Sequence, residues 1–260
     1  MYRKACPLFR VVGTKRALAA LVLLGTLAAG MPLGRAAMQD DVDTALSIAE
    51  FLRGARTVIS AGQARINDPA LGDKGLSGDV VVDQAIQNVI KATGTDPRQV
   101  DAGSEKGRLL AAMALAVKEV MDANQPLINQ QGTGFKGFVP AVFARLVTEQ
   151  FRRDQSGRAE IKVTAPPELV RNRRASPDAF ETDIIRRKFQ SPDWVKDGIY
   201  SEATTVAGRP ATRILVPEYY GAGCLACHGS PKGEIDITGY PKEGASQGDL
   251  GGVISITLFD

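Results

Sequence analysis

Histidine is almost missing from this chain: 260 residues hold one, His228, beside three cysteines and a single tryptophan. One histidine excludes a metal cage built on several imidazoles. A hydrolytic triad has no histidine to spare, because the single histidine belongs to the cysteine segment. Long hydrophobic runs are scarce as well. The apolar run at residues 17–30 is fourteen residues long. At about 1.5 Å each these span roughly 21 Å, short of a ~30 Å hydrocarbon core. A strong excess of one charge is also absent, the formal net charge being +3. With 44% apolar and 23% charged residues, the composition is that of a globular chain of one or two domains.

Arg3, Lys4, Arg10, Lys15 and Arg16 precede the apolar run, and Gly34-Arg35-Ala36 follow it before Ala37. A basic start, a short apolar centre and small residues read as a secretory signal peptide over residues 1–36, cleaved after Ala36 or Ala37. The alternative is an uncleaved anchor, the one case in which a membrane contact is expected. Removing residues 1–36 takes away six basic residues and no acidic ones, leaving 26 Lys+Arg against 29 Asp+Glu, a net charge of −3. The basicity then belongs to the export signal and gives no argument for nucleic-acid binding. Cys6 leaves with it. Cys224 and Cys227 remain, so a disulfide-stapled fold is excluded, and a soluble, exported, periplasmic protein is expected.

Apolar residues at Ala45, Ile48, Ala49, Leu52, Ala55 and Ile59 recur at helical spacing, and the pattern predicts a helix over residues 42–67. Val82, Ile86, Val89 and Ile90 repeat it, with Gly94 placed as a C-terminal cap. A third helix is expected over residues 104–123 and a fourth from Pro140 through Phe151. The second half changes period. Residues 160–164, 200–206, 212–216 and 253–259 alternate as strands, the second and third joined by a turn at residues 207–210, and a short helix is expected over residues 178–189. Helices first and short-linked strands after predict an α+β fold with an antiparallel sheet. The single domain would run over residues 37–260, helical at about 41–153 and sheet at about 159–260.

Cys224, Cys227 and His228 fall within Gly223-Cys224-Leu225-Ala226-Cys227-His228-Gly229, a CxxCH sequence of the kind that attaches c-type haem. Two thiols three residues apart reach the two vinyl groups of one porphyrin and form thioethers. The adjacent imidazole then serves as an axial iron ligand. Export agrees with this, because such attachment is made outside the bacterial cytoplasm. A closed zinc site would need a fourth ligand that the mature chain does not offer. A redox CxxC pair belongs at a strand-to-helix turn of a βαβ unit, whereas this one follows a strand in a glycine-rich loop. One haem c per chain is the expected cofactor.

Further stretches carry a resemblance. These are Gln63-Ala64-Arg65-Ile66-Asn67-Asp68-Pro69, Gly72-Asp73-Lys74-Gly75, Gly134-Phe135-Lys136-Gly137-Phe138-Val139-Pro140-Ala141, Arg171-Asn172 with Pro177-Asp178, then CxxCH and Gly251-Gly252-Val253-Ile254-Ser255-Ile256. In this order, from Phe51 to Ile256, the chain resembles the PAS-like c-type haem domain family, the Tll-type haem domain. The resemblance implies a PAS-like sheet with an N-terminal helical layer holding one haem, found alone or as the periplasmic input of signalling proteins. Some members carry a cysteine in an N-terminal helix as second axial ligand, and the mature chain has none left for that role. The sequence ends at Asp260 with no kinase, receiver or methyl-accepting segment, so a sensor would report to a separate signalling protein.

The sixth iron position is open to several readings: Met113 or Met121 on the third helix, Lys74, a tyrosine such as Tyr219, water, or no ligand. The third helix is expected to lie against the haem side of the sheet, its methionines being either core residues or ligands. Arg171 and Arg174, in a cluster with Arg173, are candidate partners of the haem propionates, because guanidinium geometry suits carboxylates. Gly132-Thr133-Gly134-Phe135-Lys136-Gly137 matches GxGxxG, but a helix rather than a strand precedes it, which argues against nucleotide binding. Asp40-Asp41-Val42-Asp43 places negative charge at a helix start. Two functions follow. One is an exported monohaem protein sensing redox state or a diatomic gas. The other is a one-electron carrier between exported redox partner proteins. Peroxidase or other enzyme activity is not expected, for want of a distal acid–base group.

Overall fold

The computed structural model describes residues 33–260 apart from Asp197. The expected signal segment therefore lies outside the described residues, except at positions 33–36, where the first helix has begun. Five helices and four strands carry the architecture: α1 Leu33–Ala61, α2 Gly78–Thr93, α3 Glu105–Ala123, α4 Pro140–Asp154, β1 Ala159–Thr164, α5 Ala179–Ile184, β2 Tyr200–Val206, β3 Arg209–Tyr219 and β4 Leu250–Phe259. The fold is α+β, as the change of period predicts. Its caps are legible locally. Ser77 and Ser104 accept the first free amides of α2 and α3, and Gly94 closes α2 in the left-handed region at φ 73°.

The sheet has the order β1-β4-β3-β2, antiparallel throughout. Its β2–β3 hairpin turns on two residues, Ala207 at φ 49° and Gly208 at φ 80°. Arg209 and Pro210, expected in the turn, belong to β3. Alternation assigns the two faces. Ile161, Ile214, Val216, Ile254, Ile256 and Leu258 join the large core made with the helices. Leu215 and Val253 face the other way, against Ile184, Ile185 and Phe189. Beyond α5 the chain widens into a π-helical turn, Ile185–Phe189, which no sequence pattern announces.

On the large-core face of the sheet lie α1, against β3 and β4, and α4, against β1. α3 packs instead on α1, α2 and α4, in the helical layer. This corrects the expectation that α3 borders the haem side of the sheet. The reason is its length of buried stripe: Leu109, Leu110, Met113, Ala116, Val117, Val120 and Met121 are all buried, and three helices are needed to cover them. Among the described residues no helix is long and apolar enough to cross a membrane.

One ion-pair group fastens α1 to the end of β3. Arg53 donates through Nε to Glu218 at 2.6 Å and through Nη2 to the Pro217 carbonyl at 3.1 Å, and Arg56 also pairs with Glu218. Burial works against ionisation of Glu218, but the charges of Arg56 and Arg53 outweigh it and hold its carboxyl below the usual 4.5. Its stabilising contribution is therefore complete above pH 4.5 and is lost as the pH falls through the lower folded value. Urea midpoints measured across pH 3 to 7 should drop on the acid side, and Glu218→Gln should be less stable at pH 7 with a flatter profile. An unchanged acid limb in the variant would remove Glu218 from that role.

Candidate haem-attachment site

The residues 220–249 connect neighbouring strands β3 and β4, and all the CxxCH side chains lie in this connection. Its ends are pinched together: the Tyr220 amide donates to the Asp249 carbonyl at 2.9 Å, and the Gly248 amide to the Tyr220 carbonyl at 2.8 Å. Within it, a 3-10 turn Ala222–Cys224 leads into one helical turn, Leu225–His228. The motif is thus more regular than the glycine-rich loop expected from sequence. The returning chain is clipped onto it, Gly244 donating to the Gly229 carbonyl at 3.1 Å and Ala245 to the His228 carbonyl at 2.9 Å.

Both thiols are free; Cys224 is exposed and Cys227 half-buried. Burial, then the nearby Asp236 carboxylate, pushes the Cys227 thiol up from its usual value. The His228 ring stacks on Tyr220, centroids 4.8 Å apart and planes 24° from parallel. Its Nδ1 is 2.9 Å from Glu243 Oε2 and 3.4 Å from the Tyr220 hydroxyl. Nδ1 is thereby engaged, and among the described residues no hydrogen-bond partner is found for Nε2. Burial, then the charge of Glu243, pushes the Tyr220 phenol up to about 12, so it stays neutral beside the imidazole. Gly251 makes room for it: a Cβ there would lie 2.5 Å from the Tyr220 ring.

Arg171 organises the acidic side. It donates to Glu243 through Nε at 2.7 Å and Nη2 at 2.9 Å, to Asp236 through Nη1 at 2.7 Å, and to the Cys227 carbonyl through Nη2 at 2.9 Å. Asp236 has a fully buried side chain. Burial alone would raise its pKa, but the Thr238 hydroxyl, Arg171 and the amides of Tyr240 and Thr238 hold it well below the usual carboxylate range. Glu243 likewise sits below its usual value, burial being outweighed by the hydrogen bonds from Arg171 and His228.

The donor set fits a covalent haem. One free thiol precedes a single helical turn and the other lies within it, the histidine follows at once, and a carboxylate engages its Nδ1, as is usual for ligating histidines. Among the described residues no group of three or more His, Cys, Asp or Glu is arranged to hold a bare metal ion. Other candidates from sequence are placed elsewhere. Arg171 is committed to Asp236, Glu243 and a backbone carbonyl, so it is not free for propionates. The turn at Asn172 sends Arg174 the other way, into a cleft with Arg145, Arg152 and Lys162 between α4 and β1. Met113 and Met121 are wholly buried in the helical layer. The Lys74 ammonium is buried and donates to the carbonyls of Asp68 at 2.6 Å and Leu71 at 2.5 Å, so it holds a loop together. Tyr219 lies beneath the Lys196 ammonium, 5.4 Å from its ring centre. Tyr220, Asp236 and Glu243 escaped the sequence reading. They follow no periodicity, and only the density of acidic and aromatic residues after CxxCH hinted at them.

An α+β domain whose β3–β4 connection presents CxxCH beside a carboxylate-anchored histidine belongs to the haem-binding, cytochrome-like proteins. The chain matches the Tll0287-like family over residues 98–258, more than half its length, and belongs to that family of PAS-like haem-binding domains. The matched span holds α3, α4, the sheet and the whole site. The sequence resemblance between Phe51 and residue 97 lies outside it. No curated protein and no solved structure matches the chain.

Proposed function

We propose that this is an exported monohaem protein that binds one haem c through Cys224 and Cys227, with His228 as axial iron ligand, and senses redox state or a diatomic gas in the periplasm. The observation that carries the reading is the engagement of His228 Nδ1 by Glu243 on the CxxCH turn, which leaves Nε2 for iron. The haem, when bound, supplies an iron that changes by one electron and accepts a small axial ligand. The chain's own groups do the rest. Cys224 and Cys227 fix the porphyrin edge, Tyr220 backs the imidazole, and Glu243 sets its orientation. Sensing is favoured over a methionine-ligated carrier because Met113 and Met121 are core residues of the helical layer. The exposure of Cys224 favours the second reading, a one-electron carrier, since it would bring one haem edge to the surface. A separate signalling or redox partner is part of either reading.

Absorption spectra of the ferric and ferrous protein, with and without carbon monoxide, separate the two. Rapid carbon monoxide binding by the ferrous form is expected. A methionine–iron charge-transfer band together with refusal of carbon monoxide would establish the carrier instead.

A further inference from the structure

Arg171 reaches the site from the β1–β2 connection, and its position suggests more than a structural clamp. Three charges are linked in succession to His228: the Glu243 carboxylate at 2.9 Å from Nδ1, the Arg171 guanidinium on both Glu243 oxygens, and the Asp236 carboxylate on the Nη1 of that guanidinium. All three are largely shielded from water, with side chains 17%, 19% and 0% exposed. Charges withdrawn from solvent are weakly screened and act over several ångströms.

We infer that Arg171 is a positioning residue that sets the electron affinity of the haem iron by damping the negative charge of Glu243 on the His228 ring. The inference rests on His228 holding that iron. A carboxylate behind an imidazole makes it a stronger donor and favours the ferric state. A guanidinium bonded to the same carboxylate opposes this. The two groups therefore push the iron in opposite directions through one hydrogen bond. Asp236 adds to the ferric side from further away. It also keeps the guanidinium in place, and the Cys227 carbonyl ties the same guanidinium to the attachment turn. The Tyr240 ring, 5.4 Å from the guanidinium carbon, covers it.

The test is the midpoint potential of the haem-loaded protein and its variants, with covalent haem checked first on a stained denaturing gel. Glu243→Gln keeps the shape and removes the negative charge. It should favour the ferrous form by about tenfold, roughly 59 mV upward for one electron. Arg171→Gln should move the potential the other way by a similar factor, and Arg171→Lys should restore most of it. Should Arg171→Gln or Glu243→Gln fail to accumulate, Asp236→Asn, which does not touch the imidazole, should still raise the potential. Loosened packing would not give opposite signs. Variants that carry covalent haem but shift in the same direction, or not at all, would overturn the inference. Absence of covalent haem from the parent protein would instead overturn the attachment reading on which the inference rests.

Discussion

Cys224→Ala combined with Cys227→Ala should yield a protein with no haem-staining band on a denaturing gel, where the parent should give a band that survives acid–acetone extraction. The effect should be close to all-or-none because the proposed attachment is covalent. In the proposed linkage each thiol would add across one vinyl group, sulfur to one carbon and hydrogen to the other, so no outside oxidant would be consumed. The helical turn Leu225–His228 places the two sulfurs and the imidazole on one continuous piece of backbone, with Cys224 as the residue just before it. Single variants should each keep one thioether and part of the colour. His228→Ala should attach haem poorly and leave its iron miscoordinated. A parent band that loses its colour on extraction would refute covalent attachment, whatever the variants do.

The second large effect is expected on stability without an effect on the iron. Met113→Ala and Met121→Ala each empty a volume in a layer closed by α1, α2 and α4, and both side chains are 0% exposed. Truncation of a buried methionine costs about 2–5 kcal/mol, the spread reflecting how far the surroundings collapse. Urea unfolding should show that loss. The rate of carbon monoxide binding to the ferrous protein should stay at the parent value in both. A large change in that rate, or disappearance of a far-red ferric band in one variant, would make that methionine an iron ligand.

Most of the architecture could be read from sequence because local signals and burial agree. Ser104 precedes the stripe that α3 buries, Gly94 sits where a left-handed cap is needed, and the alternation in residues 160–164 and 253–259 becomes the β1–β4 pair. The site was legible only in its covalent part. Cys224, Cys227 and His228 are adjacent in sequence because one rigid turn must hold them together. Glu243 and Arg171 act on the same ring from 15 and 57 positions away along the chain, and only tertiary closure of the loop brings them to it. The same limit explains the misplacement of α3. A stripe of buried residues states that a helix is covered, and does not say by which neighbours. Arg171 was recognised as a carboxylate partner, but the carboxylates are the chain's own.

The pinch between Tyr220 and the residues 248–249 has a consequence for assembly. The β3–β4 ladder pairs residues 211–219 with its partner strand outside the loop, so sheet register is fixed without any contribution from the loop's interior. The segment that carries CxxCH is therefore a cassette inserted between two adjacent strands, and long connections of this kind are where function is carried. Its ties to the rest of the protein are few, the Arg171 hydrogen bonds foremost among them. Loss of those ties would disturb the CxxCH turn while leaving the β3–β4 register in place.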